Sequence, residues 1–182
     1  SDTYGGIVRQ GPLFPLNSLM LHGLIYARHA LGLSSDPRHD FADEVRSYFA
    51  SGTGLQGLCA WLDLLDARQW DLIAESAKWA RDRADVLRDS HWIGGDPARG
   101  DVYGWASWAP GRAVVALRNP GAEAADFALD VGAALELPEG ESRRWSARPA
   151  YGGGDAIALD AGARTVVALR PYEVKVWDLA PR

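Results

Sequence analysis

The chain has 182 residues, 47% of them hydrophobic and 24% charged, with a formal net charge of -5, so a packed core is available. No basic stripe is present, which argues against a nucleic-acid partner, and no run of about 18 apolar residues offers a transmembrane helix. The single cysteine, Cys59, excludes an internal disulfide and any cysteine-cluster zinc site.

The sequence opens on Ser1-Asp2-Thr3 with neither Met nor a signal-peptide pattern, and the expectation is a fragment boundary. Ile7-Val8 offers a short strand. From Asn17 and Ser18, either of which can cap a helix, apolar residues recur at Met20, Leu21, Leu24, Ile25, Ala27 and Leu31. That spacing predicts a helix face, with Gly32 at its stop. A second, short helix is expected from Asp40, carrying Phe41, Val45, Tyr48 and Phe49. Asp43 and Glu44 sit in its first turn, where negative charge suits the helix dipole. Ser51-Gly52-Thr53-Gly54 breaks it. The run Leu55 to Leu62 is too short and too apolar for an amphipathic helix and reads as a buried parallel strand. Asp66 with Gln69 resembles a capping box. It opens a third helix whose apolar positions are Ile73, Ala74, Ala77, Ala80, Ala84 and Leu87, with Arg81, Asp82, Arg83 and Asp85 on solvated faces.

Between Ser90 and Asp101 the chain carries turn chemistry, Gly94-Gly95 and Asp96-Pro97, and beyond it the hydrophobic period changes to two. Val102 to Trp108 and Arg112 to Arg118, joined through Pro110-Gly111, predict a hairpin. Further strands are expected over Asp126 to Val131, Ser142 to Arg148, Ala156 to Leu159, Arg164 to Arg170 and Glu173 to Trp177. Short strands at this spacing suggest a sandwich. Arg112-Ala-Val-Val-Ala-Leu-Arg118 is echoed by Arg164-Thr-Val-Val-Ala-Leu-Arg170, best explained by two strands with the same core demands rather than by a repeat architecture. The predicted fold is α+β: a helical segment over residues 1–90, then an antiparallel β-sandwich over 91–182.

Chemistry is sparse. Gly52-Thr53-Gly54 lacks the further glycine and the lysine of a phosphate loop, and Gly152-Gly153-Gly154 lies between strands. His22, His29, His39 and His91 are dispersed, so no metal site is expected. His22 and His29, read as two turns of one helix, would stand about 11 Å apart. No G-x-S-x-G elbow occurs, and Cys59 reads as an inert buried thiol. Glycosidases need two carboxylates about 5–10 Å apart. Asp63, Asp66, Asp96 and Asp101 are available, but no spacing selects a pair. The 8 tryptophans are notable, because Trp both fills cores and stacks on sugar rings.

Five blocks resemble a known group: Gly11-Pro12-Leu13-Phe14-Pro15-Leu16-Asn17-Ser18-Leu19-Met20-Leu21-His22-Gly23, Ser90-His91-Trp92-Ile93-Gly94-Gly95-Asp96-Pro97, Val102-Tyr103-Gly104-Trp105-Ala106-Ser107-Trp108, Leu117-Arg118-Asn119-Pro120 and Leu169-Arg170-Pro171-Tyr172-Glu173-Val174. Together they resemble the C-terminal third of bacterial proteins similar to the α-galactosidase clan of glycoside hydrolases, some of them labelled enterotoxin-like. The resemblance implies a (β/α)8 barrel followed by a C-terminal β-sandwich. Leu55 to Leu62 would be the last barrel strand and Asp66 to Ser90 the last barrel helix. In that clan two aspartates on earlier barrel strands do the chemistry, which implies that the catalytic pair precedes Ser1. Such sites lie at the carboxyl ends of the strands. Trp61 and Asp63, then Asn17 and Ser18, are therefore the expected substrate contacts, with no cofactor.

Three readings follow. The chain is a glycoside hydrolase fragment, inactive alone, whose partner is a carbohydrate bound by the parent enzyme. Or it is a carbohydrate-binding module using Trp92, Trp105, Trp108 or Trp145. Or it is a structural domain that buttresses the barrel. Open barrel edges would invite homo-oligomers. No membrane association is expected; the sequence does not establish a compartment, and the family expectation is a secreted or periplasmic parent.

Overall fold

The computed structural model describes residues 2–10, 15–29, 36 and 39–182. In chain order these form α1 (Asp2–Gly6), β1 (Met20–Tyr26), α2 (Phe41–Phe49), β2 (Leu55–Ala60), α3 (Ala67–Arg81), α4 (Ala84–Leu87), β3 (Ser90–Gly94), β4 (Tyr103–Ala109) and β5 (Arg112–Arg118). They continue with β6 (Ala125–Asp130), α5 (Val131–Ala134), β7 (Arg144–Pro149), β8 (Ile157–Asp160), β9 (Arg164–Leu169) and β10 (Val174–Pro181). This is a mixed helix-and-sheet chain. β1 and β2 pair in parallel, a six-stranded antiparallel sheet runs β3-β4-β5-β10-β7-β8, and β6 pairs with β9.

The segment expected as the first helix is a strand. Met20–Tyr26 pairs with β2 from Met20 opposite Leu55 to Tyr26 opposite Ala60. The register shifts between Gly23 and Tyr26, and Leu24 takes φ +50°. That irregularity interrupts the alternation of side chains, so the apolar residues fall by accident at helix-like spacing. Leu31 and Gly32 lie outside the described residues. Ile7-Val8 forms no strand either; Val8–Gln10 is a 3-10 turn.

The second helix follows the sequence, with Phe41, Val45, Tyr48 and Phe49 all buried. They pack with Leu24, Tyr26, Leu65 and Ile73 into a core between the parallel pair, α2 and α3. The Tyr48 hydroxyl lies 2.9 Å from the carbonyl oxygens of Leu21 and Gly57 and donates to them, clamping α2 onto both strands. Gly23 leaves room for that ring: a Cβ there would stand 2.5 Å from Tyr48 Cδ2.

The capping box at α3 is present in full. The Asp66 carboxylate accepts the Gln69 N–H at 2.8 Å, and the Gln69 side chain accepts the Asp66 N–H at 2.9 Å. The single long helix expected here is divided, because α3 ends at Arg81 and α4 restarts at Ala84. Its buried residues within α3 are Ile73, Ser76 and Trp79.

The six-stranded sheet is covered on both faces. One face meets β6 and β9 across a core that holds Ala106, Val115, Leu117, Trp145, Val167, Leu169 and Trp177. The other face meets the helices through Trp79, Leu87, Trp105, Val114, Ala116 and Val176, so a single core crosses residue 90. The sequence echo has a physical cause in this layering. Val115 and Leu117 of β5 and the equivalent Val167 and Leu169 of β9 enter the same core from opposite sheets. They part company on their other faces: Val114 and Ala116 are buried, whereas Val166 is 66% exposed.

Candidate functional site

Both parallel strands run toward the same end, and the Trp61 N–H donates to the Tyr26 carbonyl at 2.9 Å just past their last residues. Beyond β1 the chain exposes Arg28 and His29. Beyond β2 it exposes Trp61 at 48%, Leu62 at 76% and Asp63, the latter in a 3-10 turn, Leu62–Leu64. Arg28 donates to the Asp63 carboxylate in a close ion pair, with more than half of each side chain in solvent. Exposed pairs of this kind contribute about 0–1 kcal/mol, so the pair orients two side chains more than it holds the fold. The His29 and Trp61 rings lie 6.3 Å apart at 44°. The carboxyl end of the pair therefore gathers a guanidinium, an imidazole, a carboxylate and a half-exposed indole.

Of the expected contacts, the structure brings together Trp61 and Asp63. Asn17 and Ser18 lie at the other end of the strands, in the 3-10 turn Leu16–Ser18 that precedes β1. There the Asn17 carbonyl accepts the Gly54 N–H at 2.8 Å. The shift from helix to strand in Met20–Tyr26 is what moves them, since a helix would have brought its cap to a different place.

The same strand end holds a feature that the sequence reading took only as a helix first turn. Tyr26 is buried, and its hydroxyl hydrogen-bonds the Glu44 carboxyl with Asp36 and Asp40 nearby. Burial, then these carboxylates, pushes the Tyr26 hydroxyl far up. Burial also raises Glu44, against the pull of the Arg118 guanidinium. Asp36 accepts the N–H of Asp40 at 3.1 Å and that of Phe41 at 3.3 Å, at the start of α2. Asp40 faces Arg118 at 3.8 Å. These groups tie the parallel pair to the six-stranded sheet.

The remaining candidates have structural work. Asp66 is the α3 cap. The Asp96 side chain accepts the Ala98 N–H at 2.9 Å, and Asp101 accepts the Asp96 N–H at 3.0 Å, so both shape the turn between β3 and β4. Among the described residues no group of three or more His, Cys, Asp or Glu gathers as a metal site. Cys59 is exposed, contrary to the buried thiol expected, and lies 3.9 Å from His22 Nδ1. By alternation, Met20, His22, Leu55, Gly57 and Cys59 share the face of the parallel pair that turns away from α2 and α3.

The tryptophans considered as a sugar platform are divided between the core and its margin. Trp105 and Trp145 are buried, and Trp92 and Trp108 are half-buried. Tyr103 stacks on Trp92 at 5.0 Å and 7°, and Trp105 meets it edge-on.

No protein-family profile matches the chain, and no curated protein matches it by sequence. Its fold is similar to that of parts of solved glycoside hydrolase structures. An α-galactosidase from Saccharomyces cerevisiae, solved with raffinose, superposes at TM-score 0.59 with 11% identity, over 81% of this chain and 45% of its own. A β-L-arabinopyranosidase from Geobacillus stearothermophilus, solved with arabinose, gives 0.57 and 15% over 91% of this chain and 37% of its own. An α-amylase from Geobacillus thermoleovorans, solved with acarbose, gives 0.58 and 14% over 90% and 38%. The chain thus spans less than half the length of these structures while they cover most of it.

Proposed function

We propose that this chain is the C-terminal portion of an α-galactosidase-like glycoside hydrolase. It would supply the last two strands and helices of a (β/α)8 barrel over residues 1–90 and a β-sandwich over 91–182. The observation that carries this reading is the parallel pair β1–β2. Parallel strands are normally covered on both faces. Here α2 and α3 cover only part of one face, leaving Leu58 44% exposed, while Met20 and Leu55 stand 49% and 58% exposed on the other. The likeness to glycoside hydrolase structures supports the same reading.

In this reading the chain alone is inactive. Asp63 is the exposed carboxylate of the strand-end cluster, whereas Asp36, Asp40 and Glu44 at the same end are engaged with the start of α2, Arg118 and Tyr26, and glycoside hydrolysis uses two carboxylates that face the sugar. The Trp61 ring and the Arg28–Asp63 pair would border the sugar, stacking on its apolar face and bonding its hydroxyls. The burial of Trp105 and Trp145 favours a supporting β-sandwich over an independent carbohydrate-binding module.

The test is the reading frame upstream of Ser1. The expected outcome is further strand–helix units carrying two strand-end aspartates, in a protein that hydrolyses aryl α-galactosides while the 182-residue chain does not. A start site close to Ser1, or turnover by this chain alone, would overturn the proposal. In the full protein, Trp61→Ala should raise KM for the glycoside with little change in kcat.

A further inference from the structure

A cavity of about 650 Å³, lined by neither Arg28, His29, Trp61 nor Asp63, lies between α2, β9, β10 and the loop that follows β7. Charged side chains line it, and most have a local partner. Arg170 donates to Glu173 through Nε at 3.1 Å and Nη2 at 3.0 Å. Lys175 donates to the Ala168 carbonyl at 2.8 Å and faces Glu173 at 3.9 Å. Asp43 accepts a backbone hydrogen bond from Val174, and burial raises its carboxyl above the ordinary value against the pull of that bond and of the Arg46 guanidinium. The remaining charged groups of the wall are Asp155, exposed, and Arg46, whose charge acts on Asp43 and Tyr151.

Arg46 is the unusual one. Its Nε is buried with no hydrogen-bond partner. Its guanidinium carbon lies 4.9 Å from the centroid of the Tyr151 ring, so the ring holds the group in place without giving that Nε–H an acceptor. A buried donor left without an acceptor is unfavourable, and a guanidinium fork is shaped for a planar, bidentate acceptor. An aromatic ring that fixes such a fork at the wall of an open cavity is an arrangement suited to receive a carboxylate. The volume lies within the ordinary range for small-molecule sites, about 300–1,000 Å³. At the exposed side, Asp155 offers acceptor oxygens to hydroxyl groups but none to a second anion.

We propose that this cavity binds a small, hydroxyl-rich ligand bearing one carboxylate, of sugar-acid size, with Arg46 receiving the carboxylate and Asp155 the hydroxyls. The proposal is independent of the glycoside hydrolase reading, since it uses neither Trp61 nor Asp63.

The test is titration calorimetry of the 182-residue chain with galacturonate, galactose and inorganic phosphate as separate probes. The expected result is binding of galacturonate, at least tenfold weaker binding of galactose and of phosphate, and at least a tenfold rise in the galacturonate Kd in Arg46→Gln. Arg46→Lys, which keeps the charge and loses the fork, should fall between, and Trp61→Ala should bind as the parent chain does. Thermal melting of each variant separates lost binding from lost folding. Equal binding of galactose would make the cavity a neutral polyol site, equal binding of phosphate a general anion site, and no binding would leave Arg46 a packing residue; each overturns the proposal. Loss of galacturonate binding in Trp61→Ala would move the site to the strand ends and overturn it as well.

Discussion

The pair Arg83–Asp178 should be the costliest polar link between the helical segment and the last strand. Asp178 of β10 receives Arg83 through Nε and through Nη2, the latter at 2.6 Å, and the Trp79 indole N–H reaches it at 3.4 Å. Arg83 Nη1 also donates to the Trp79 carbonyl at 3.2 Å, and the guanidinium lies 4.9 Å from the Trp79 ring centroid. Exposed ion pairs contribute about 0–1 kcal/mol, whereas breaking a fully buried one costs about 3–5 kcal/mol. The two side chains are 24% and 32% exposed, which places Asp178→Asn between these limits, at about 2 kcal/mol. For a chain of this size that is a fall in Tm of about 4–8 °C. The assay is urea unfolding of Asp178→Asn, Arg83→Gln and the double variant, with the coupling taken from the cycle. A coupling of about 1–2 kcal/mol is expected. Single-variant losses below about 0.5 kcal/mol with no coupling would refute the bridging role.

Gly104→Ala should prevent folding, because a Cβ there would fall on the Ala116 carbonyl oxygen across the β4–β5 pair; soluble, cooperatively melting protein would count against this packing. Asn119→Ala should cost about 2–4 kcal/mol by urea unfolding, since its buried amide donates to the carbonyls of Glu123 at 2.7 Å and Arg170 at 3.0 Å and accepts the Gly121 N–H at 2.9 Å. Glu44→Gln should raise Tm at pH 7, because burial lifts the Glu44 carboxyl above its ordinary 4.5 in the folded chain. The folded state then holds that proton more tightly, so stability falls as pH rises through the window above 4.5, and the gain from Gln should fade as pH drops toward 4.5. A gain that persists unchanged at pH 4.5 would contradict that sign.

What the sequence made legible was the antiparallel part and the helices with chemical stops. Strands β6 to β9 alternate, β4 and β5 are near-continuous apolar runs buried on both faces, and Pro110-Gly111, Asn119-Pro120 and Gly162 punctuate them where turns occur. Asp66 and Gln69 announced α3 because their bonds are local. The misread element, β1, has a non-local cause. A short apolar run with a register shift and one positive-φ residue carries no clean period, and only pairing with β2 decides its state. The same holds for the site. Trp61 and Asp63 were legible because a strand end is a position along the chain. Arg28, His29 and the Tyr26–Glu44 contact were not, because each depends on which strands lie side by side.

The exposed residues of β2 bear on what completes the parallel pair. Leu55 lies on the face turned away from α2 and α3, and Leu58, three residues on, lies on the opposite face by alternation. They are 58% and 44% exposed, so β2 lacks cover on both sides rather than on one. A second copy docked face to face through a two-fold axis would bury the Leu55 side and leave Leu58 in solvent. A neighbouring strand followed by its helix would cover both at once, the strand extending the open edge and the helix closing over Leu58. On the proposed reading, this asymmetry favours a neighbouring strand and helix over self-association as the cover. It also separates the two by measurement. Leu58→Lys should leave any self-association of the chain unchanged in light scattering, whereas Leu55→Lys should abolish it. In the full protein both substitutions should impair folding. A full protein that tolerates Leu58→Lys would remove the case for a covering helix.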